Sequence, residues 1–111
     1  MLAVFSKHVV CCLDSIRDKK QKAILTSAFC FGGRSIINLS FAEMTSMCGN
    51  MIQVMNKDNE ECIILSAAAK KGLTPEHRAE LMKHYKLVSS DIKTIEKIGG
   101  GSARCMVAEI Y

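Results

Sequence analysis

The sequence predicts an α/β protein built from about two ββαβ units, and three observations carry that prediction. Short β-rich runs come in pairs. Each pair is followed by a stretch with helix-start chemistry, and the pattern returns after roughly fifty residues, the spacing of propeller-like repeats. The chain has 111 residues, which leaves room for a single domain. Apolar residues make up 49% and charged residues 23%, ordinary globular values that argue against disorder.

The elements follow in order. Leu2–Phe5 and Val9–Leu13 are β-rich runs around Ser6-Lys7-His8 and read as a hairpin, with His8 in its loop. Ser15-Ile16-Arg17-Asp18 fits a capping box for a helix over Ser15–Phe31. That helix places Ile16, Ile24, Leu25, Ala28 and Phe29 on one face, and Gly32-Gly33 stops it. Ile36–Leu39 reads as a buried strand. Ser40-Phe41-Ala42-Glu43 repeats the capping-box pattern, opening a short helix before Gly49. Met51–Met55 and Cys62–Leu65 flank the turn residues Asn56-Lys57-Asp58-Asn59 and form a second hairpin. Ser66 caps a brief Ala-rich turn that ends at Gly72. Thr74-Pro75-Glu76 then starts a helix over Pro75–Tyr85, with a hydroxyl cap and proline at the first helical position. Leu81, Met82 and Tyr85 face inward there, while His77 and His84 belong to the outer, solvated side. Lys86–Ile92 is a further strand, and Gly99-Gly100-Gly101-Ser102 leads into a last one, Arg104–Ile110.

Composition narrows the function classes. The net charge of +4 comes from 15 basic residues spread along the chain against 11 acidic ones, which is solvation and not a nucleic-acid footprint. No apolar run approaches the roughly 18 residues that a membrane helix needs, so no membrane role is expected. The apolar start is broken by Ser6-Lys7-His8 without a cleavage site, unlike a signal peptide, and the expected location is the cytoplasm. Six cysteines raise the alternatives of disulfides or a metal. The close pair, Cys11-Cys12, is adjacent, and adjacent side chains on a strand face opposite ways. No pair has zinc-ligand spacing. Reduced thiols and no metal are the expectation. Cys11, Cys12, Cys30, Cys48 and Cys62 read as small buried hydrophobes, and Met44, Met47 and Met51 as core filler. Lys19-Lys20 and Lys70-Lys71 read as solvated helix faces.

Three consecutive glycines cost backbone entropy and need a reason. A loose loop would be one. Cys105 gives another, because a glycine loop lets substrate approach the backbone and an exposed thiol at its rim can act as a nucleophile. If Arg104–Ile110 is a strand, Cys105, Val107 and Glu109 share one face. Arg104 then points away from the thiol and leaves its pKa alone.

The segment Gly99-Gly100-Gly101-Ser102-Ala103-Arg104-Cys105-Met106-Val107-Ala108-Glu109-Ile110 closely resembles the C-terminal motif of the arginine deiminase and amidinotransferase superfamily, whose fold is the pentein propeller. The likeness is greatest to the citrulline-utilisation hydrolase branch. It continues, collinearly and more weakly, through Cys12-Leu13-Asp14-Ser15-Ile16, Ser40-Phe41-Ala42-Glu43-Met44, Gly49-Asn50-Met51 and Asp91-Ile92-Lys93-Thr94-Ile95-Glu96. The resemblance implies a partial pentein-type α/β propeller of about two ββαβ units. It makes Cys105 the catalytic nucleophile toward a guanidino or amidino carbon, and places Gly100, Gly101 and Asn50 at the substrate, an ordinary turn or cap role being the alternative for Asn50. The partner implied is a small guanidino or ureido molecule, and no cofactor is required.

Two departures from the family pattern bear on activity. Family members carry the catalytic histidine in a His-Thr-Asn-like motif just ahead of the strand that Met1-Leu2 begins, and their guanidinium-binding carboxylates lie mostly upstream. His8, His77 and His84 are not in such a motif, and Glu96 and Glu109 read as solvated carboxylates with at most a supporting role. Arginine deiminases proper also place an arginine inside the glycine run. Here the run is all glycine, which argues against recognition of a free arginine carboxylate. The expectation is therefore a single C-terminal region over residues 1–111, lacking the N-terminal blades of a five-bladed propeller and inactive alone. Its thiol pKa should not be strongly depressed, and its open strand edges should favour self-association. The rival reading is a non-catalytic structural or interaction module that retains the scaffold.

Overall fold

The computed structural model describes residues 2–110. Met1, where the first strand was expected to open, lies outside them. Two three-stranded sheets are present, and each has the same internal logic. In the first, β1 (Leu2–Val4) runs antiparallel to β2 (His8–Cys11), and β2 runs parallel to β3 (Ser35–Asn38) after the crossover helix α1 (Lys19–Phe31). In the second, β4 (Ile52–Met55) runs antiparallel to β5 (Glu61–Ser66). Strand β5 runs parallel to β6 (Lys86–Ser90), after α3 (Ala67–Gly72) and α4 (Pro75–Met82). A short helix follows each sheet: α2 (Phe41–Thr45) after β3, and α5 (Lys93–Gly99) after β6. The expected pair of ββαβ units is therefore the observed mixed α/β architecture.

The middle strand of each sheet is the most buried, because it has neighbours on both edges and a helix or core on each face. Alternation along β2 divides two environments. Val10 and Cys12 join a core cluster with Ile63, Leu65, Leu81 and Tyr85 of the second unit, so the units share one interior. Val9, Cys11 and Leu13 pack on the other side with Ile16, Phe29 and Ile36. Cys11 and Cys12 thus do face opposite ways, as strand geometry requires.

Several boundaries differ from the sequence expectation. Helix α1 begins four residues later than expected, capped by Asp18, whose side chain accepts from the backbone of Lys20 and Gln21. Ser15 instead closes a 3₁₀ turn over Leu13–Ser15, its hydroxyl donating to the Cys12 carbonyl. The face of α1 also rotates, leaving Ile24, Ala28 and Cys30 exposed, so Cys30 is not a buried hydrophobe. Met82 is exposed, whereas Leu81 and Tyr85 point inward as expected. His8 is not in a loop: it opens the buried central strand β2. Residues 93–99, of which the sequence reading assigns no element to 93–98, form α5.

The largest correction is at the C-terminal end. Arg104–Ile110 is not a strand; Ala103–Met106 is a 3₁₀ turn, and the following residues up to 110 pair with no sheet. The reason is where the backbone donors go. The Cys105 N–H donates to the Ser102 carbonyl at 3.0 Å, and the Val107 N–H to the Arg104 carbonyl at 3.2 Å. The Arg104 N–H is taken by the Asn50 side chain, so a ladder has few donors left. The common face expected for Cys105, Val107 and Glu109 goes with the strand.

Candidate active site

Asn50 sits at the end of the connection that leaves α2. That helix is fixed at its start by a full capping box: Ser40 Oγ accepts from the Glu43 N–H, and the Glu43 carboxylate accepts from the Ser40 N–H. It ends in a Schellman motif, with the Cys48 N–H on the Glu43 carbonyl and the Met47 N–H on the Met44 carbonyl. Met47 occupies the left-handed position at φ 64°, where glycine is usual, and the Asn50 N–H then bonds the Met47 carbonyl. Asn50 is buried, and its side chain faces the C-terminal turn.

There Asn50 makes a fork. Its Nδ2 donates to Cys105 Sγ at 3.0 Å, and its Oδ1 accepts from the backbone N–H of Arg104 at 3.0 Å and of Cys105 at 3.4 Å. The structure therefore brings together the two residues that sequence reasoning singled out separately. The glycines have specific tasks. Gly100 caps α5 in the left-handed region at φ 69°. Gly101 lies so close to Cys105 that an added Cβ would stand 2.8 Å from the Cys105 Cβ and 3.0 Å from its Sγ. Ser102 is fully buried and its hydroxyl donates to Glu96, which ties the turn to α5 and gives Glu96 a structural role beyond a solvated carboxylate.

The electrostatics separate the thiols. The Asn50 amide and then a backbone hydrogen bond from Ser102 lower the Cys105 pKa from its usual value near 9.0, against an opposing effect of desolvation, and the charge of Arg104 adds a smaller lowering. Arg104 is thus not indifferent to the thiol, contrary to the strand reading. Burial, and the nearby Glu43 carboxylate, push the Cys48 thiol up to about 12. Burial also raises Cys11, with Cys12 adding to the effect. Cys105 is exposed while Cys11, Cys12, Cys48 and Cys62 are buried. Exposure combined with a depressed pKa is what a reactive thiol needs.

The histidines are engaged elsewhere. His8 Nδ1 meets Tyr85 Oη at 3.3 Å and its Nε2 meets Glu80 at 3.3 Å. His84 pairs with Glu80 at 3.8 Å. His77 is not simply solvated: its Nδ1 lies 2.7 Å from Glu43 Oε1 and it is half-buried. Sequence reasoning saw Glu43 only as a capping residue. It is 2% exposed and also accepts from the Thr74 N–H at 3.0 Å, which links α2 to the start of α4. Burial alone would raise its pKa, but the Thr74 and Ser40 N–H groups, His77 and the Ser40 hydroxyl together hold it down to about 2. Helix-start chemistry at 40–43 and 74–77 marked both ends of this link, yet no local pattern joined them.

A cavity of about 270 Å³ opens beside the C-terminal turn, lined by Ile64, Leu65, Ser90, Ile92, Ala103, Met106 and Val107. Cys105 does not line it. Among the described residues no helix is long and apolar enough to cross a membrane.

Comparison with curated proteins and with solved structures gives no match. The family model for N,N dimethylarginine dimethylhydrolase, eukaryotic, matches residues 1–111. With the match covering every residue, the chain belongs to the N,N dimethylarginine dimethylhydrolase family, within the pentein superfamily of guanidino-modifying hydrolases.

Proposed function

We propose that this chain carries the nucleophile-bearing part of a guanidino-modifying hydrolase, with Cys105 as the attacking thiolate and Asn50 as the residue that positions and activates it. The observation that carries this reading is the 3.0 Å hydrogen bond from Asn50 Nδ2 to the exposed Cys105 sulfur. In the proposed reaction Sγ forms a bond to the central carbon of a guanidino group. The carbon–nitrogen bond to the departing amine breaks, and that nitrogen takes up a proton from a general acid. The S-linked thiouronium is then cleaved by water, which returns the thiol and leaves a ureido product. Gly101 keeps the space beside Sγ free of a side chain, and Gly100 supplies the left-handed turn that leads into it. The substrate class is an arginine-like or citrulline-like small molecule, the dimethylarginine of the family's name being of that class, and the site of action is the cytoplasm.

The acid is the open part of the constellation. His8, His77 and His84 bind Tyr85, Glu80 and Glu43, and none is hydrogen-bonded to Cys105. On this ground the departing amine has no proton donor, so the thiolate alone does not turn substrate over, and a further pentein segment of the citrulline-utilisation type completes the site. The same observation favours the second reading, a scaffold without chemistry. An amidinium electrophile separates the two. Chloroacetamidine should label Cys105 faster than the neutral chloroacetamide, which has the same leaving group, if the site recognises a planar cation, and Cys105→Ser should remove the label. Equal rates for both reagents, or first labelling at Cys30, would leave only the scaffold reading standing.

A further inference from the structure

We propose that His8, Glu80 and His84 form a site for a divalent transition-metal ion that fastens the two ββαβ units together. One ligand atom from each residue falls within 4.8 Å of the other two. His8 Nε2 and His84 Nε2 approach the same oxygen, Glu80 Oε1, at 3.3 and 3.8 Å. A tetrahedral ion with bonds of about 2.0 Å sets its ligands roughly 3.3 Å apart, so one pair is already at that spacing and small rotations of the His84 ring close the rest. The rings of His8 and His84 stand 5.1 Å apart, tilted by 46°. Two imidazoles and a carboxylate suit zinc, nickel or copper, not calcium or magnesium.

The surroundings fit metal ligation in proton count. His8 is 2% exposed, and its other ring nitrogen, Nδ1, faces Tyr85 Oη at 3.3 Å. The Lys7 N–H donates to the same Oη at 3.0 Å, and Ser6 Oγ lies 3.3 Å from it. If Nδ1 carries the proton, Oη accepts from His8 and Lys7 and gives its own hydrogen to Ser6. The Nδ1, Lys7, Tyr85 and Ser6 groups are then satisfied, and the Nε2 lone pair faces the Glu80 Oε1 acceptor, a pairing that an ion between them resolves. Lys83 holds the other carboxylate oxygen, Oε2, at 2.9 Å and leaves Oε1 to the histidines. Glu80 and His84 are 38% and 35% exposed at their side chains, so an ion and a fourth, water ligand have access. His8 belongs to β2 of the first unit, whereas Glu80 lies on α4 and His84 just beyond it in the second. The site is remote in sequence from Cys105 and does not depend on the hydrolase reading.

Zinc titration by calorimetry tests this on the full chain carrying Cys30→Ser and Cys105→Ser, so that the exposed thiols cannot bind the ion. The expected result is one zinc per chain, with a zinc-dependent rise in Tm. Affinity should fall by about tenfold or more in His84→Gln and in Glu80→Gln. Both positions are solvent-accessible, and circular dichroism checks that the variants remain folded. Cobalt substitution should give a ligand-field spectrum without thiolate charge-transfer bands. Absence of stoichiometric zinc binding in the thiol-free background would overturn the proposal. So would binding indifferent to both substitutions, or a cobalt spectrum dominated by sulfur.

Discussion

Asn50 offers the sharpest perturbation because its two ends do different work. Oδ1 holds the backbone of the C-terminal turn through N–H bonds of 3.0 and 3.4 Å, while Nδ2 donates to the thiol. Asn50→Ala removes both functions. A net value of about 1 kcal/mol for the shorter backbone bond, and less for the longer, gives a tether of about 1–2 kcal/mol. At about 1.4 kcal/mol per factor of ten, residues 103–106 should open roughly tenfold more often. Asn50→Asp separates the functions. Its carboxylate still accepts the two backbone N–H groups, but it replaces the donor with a negative charge beside Sγ, so the thiol pKa rises. The assay is the pH dependence of iodoacetamide alkylation at Cys105, read by mass spectrometry, alongside amide exchange at Arg104 and Cys105. The expected outcome is near-native exchange protection in Asn50→Asp with the alkylation midpoint moved to higher pH, and lost protection in Asn50→Ala. A pH profile for Asn50→Asp that superimposes on the native one would refute the reasoning, since it would show that Asn50 does not tune the thiol.

Five further outcomes are expected. Glu43 has a folded pKa of about 2 against an ordinary 4.5, so its contribution to stability is fully present above about pH 4.5 and is lost as pH falls toward 2. At about 1.36 kcal/mol per unit that is about 3 kcal/mol, and Glu43→Gln should flatten acid unfolding followed by circular dichroism. Gly101→Ala should displace the C-terminal turn, because the new Cβ would lie 2.8 Å from the Cys105 Cβ, whereas at Gly100 nothing lies within 4 Å. Gly100→Ala should therefore cost only the left-handed strain of about 1–2 kcal/mol and keep the Cys105 labelling pattern. Gly72→Ala would set a Cβ 2.4 Å from the Ser46 Cβ, and thermal melts should show destabilisation of about 1–3 kcal/mol. Each sheet has two edge strands, and Val4, Met55 and Val88 on them are exposed, so light scattering should show self-association that a dye-silent monomer at high concentration would contradict.

What the sequence made legible follows from the range of the interactions involved. Cap residues act within one turn, so Ser40, Ser66 and Thr74 were read correctly as helix starts; each accepts a backbone N–H three residues on. The Asn56 turn and the buried β-runs are equally local. The start of α1 was misplaced because Ser15 and Asp18 are both competent caps, and the 3₁₀ turn decides between them by engaging the Ser15 hydroxyl. Residues 104–110 have strand composition, but Asn50, remote in sequence, diverts the Arg104 N–H. The loop reading of His8 and the solvated reading of His77 miss partners, Tyr85, Glu80 and Glu43, that tertiary packing sets, whereas His84 is exposed as expected and pairs with Glu80 four residues before it. Cys105 is legible from the glycine run beside it, whereas Asn50 is legible only through the family resemblance. Nothing in either segment alone states that the two side chains meet.

The repeat explains why they meet. After β3 the chain enters α2, and after β6 it enters α5; both helices end in a residue with positive φ, Met47 at 64° in the first unit and Gly100 at 69° in the second. Beyond these reversals the two segments meet, Asn50 from the first and Cys105 from the second. Since β2 and β5 share one core, the two reversals are held at fixed separation by packing and not by the loops themselves. The thiol and its donor are thus corresponding products of two similar units, and a change that shifts one unit against the other should act on Cys105 without touching it. The Glu43 link from α2 to Thr74 and His77 is such a contact between units. Glu43→Gln should therefore slow Cys105 alkylation at neutral pH even where the fold is retained. Its effect should be absent when Asn50→Ala has already broken the fork. Additive losses in the double variant would show that the two contacts act separately, and that the thiol is tuned by its own turn alone.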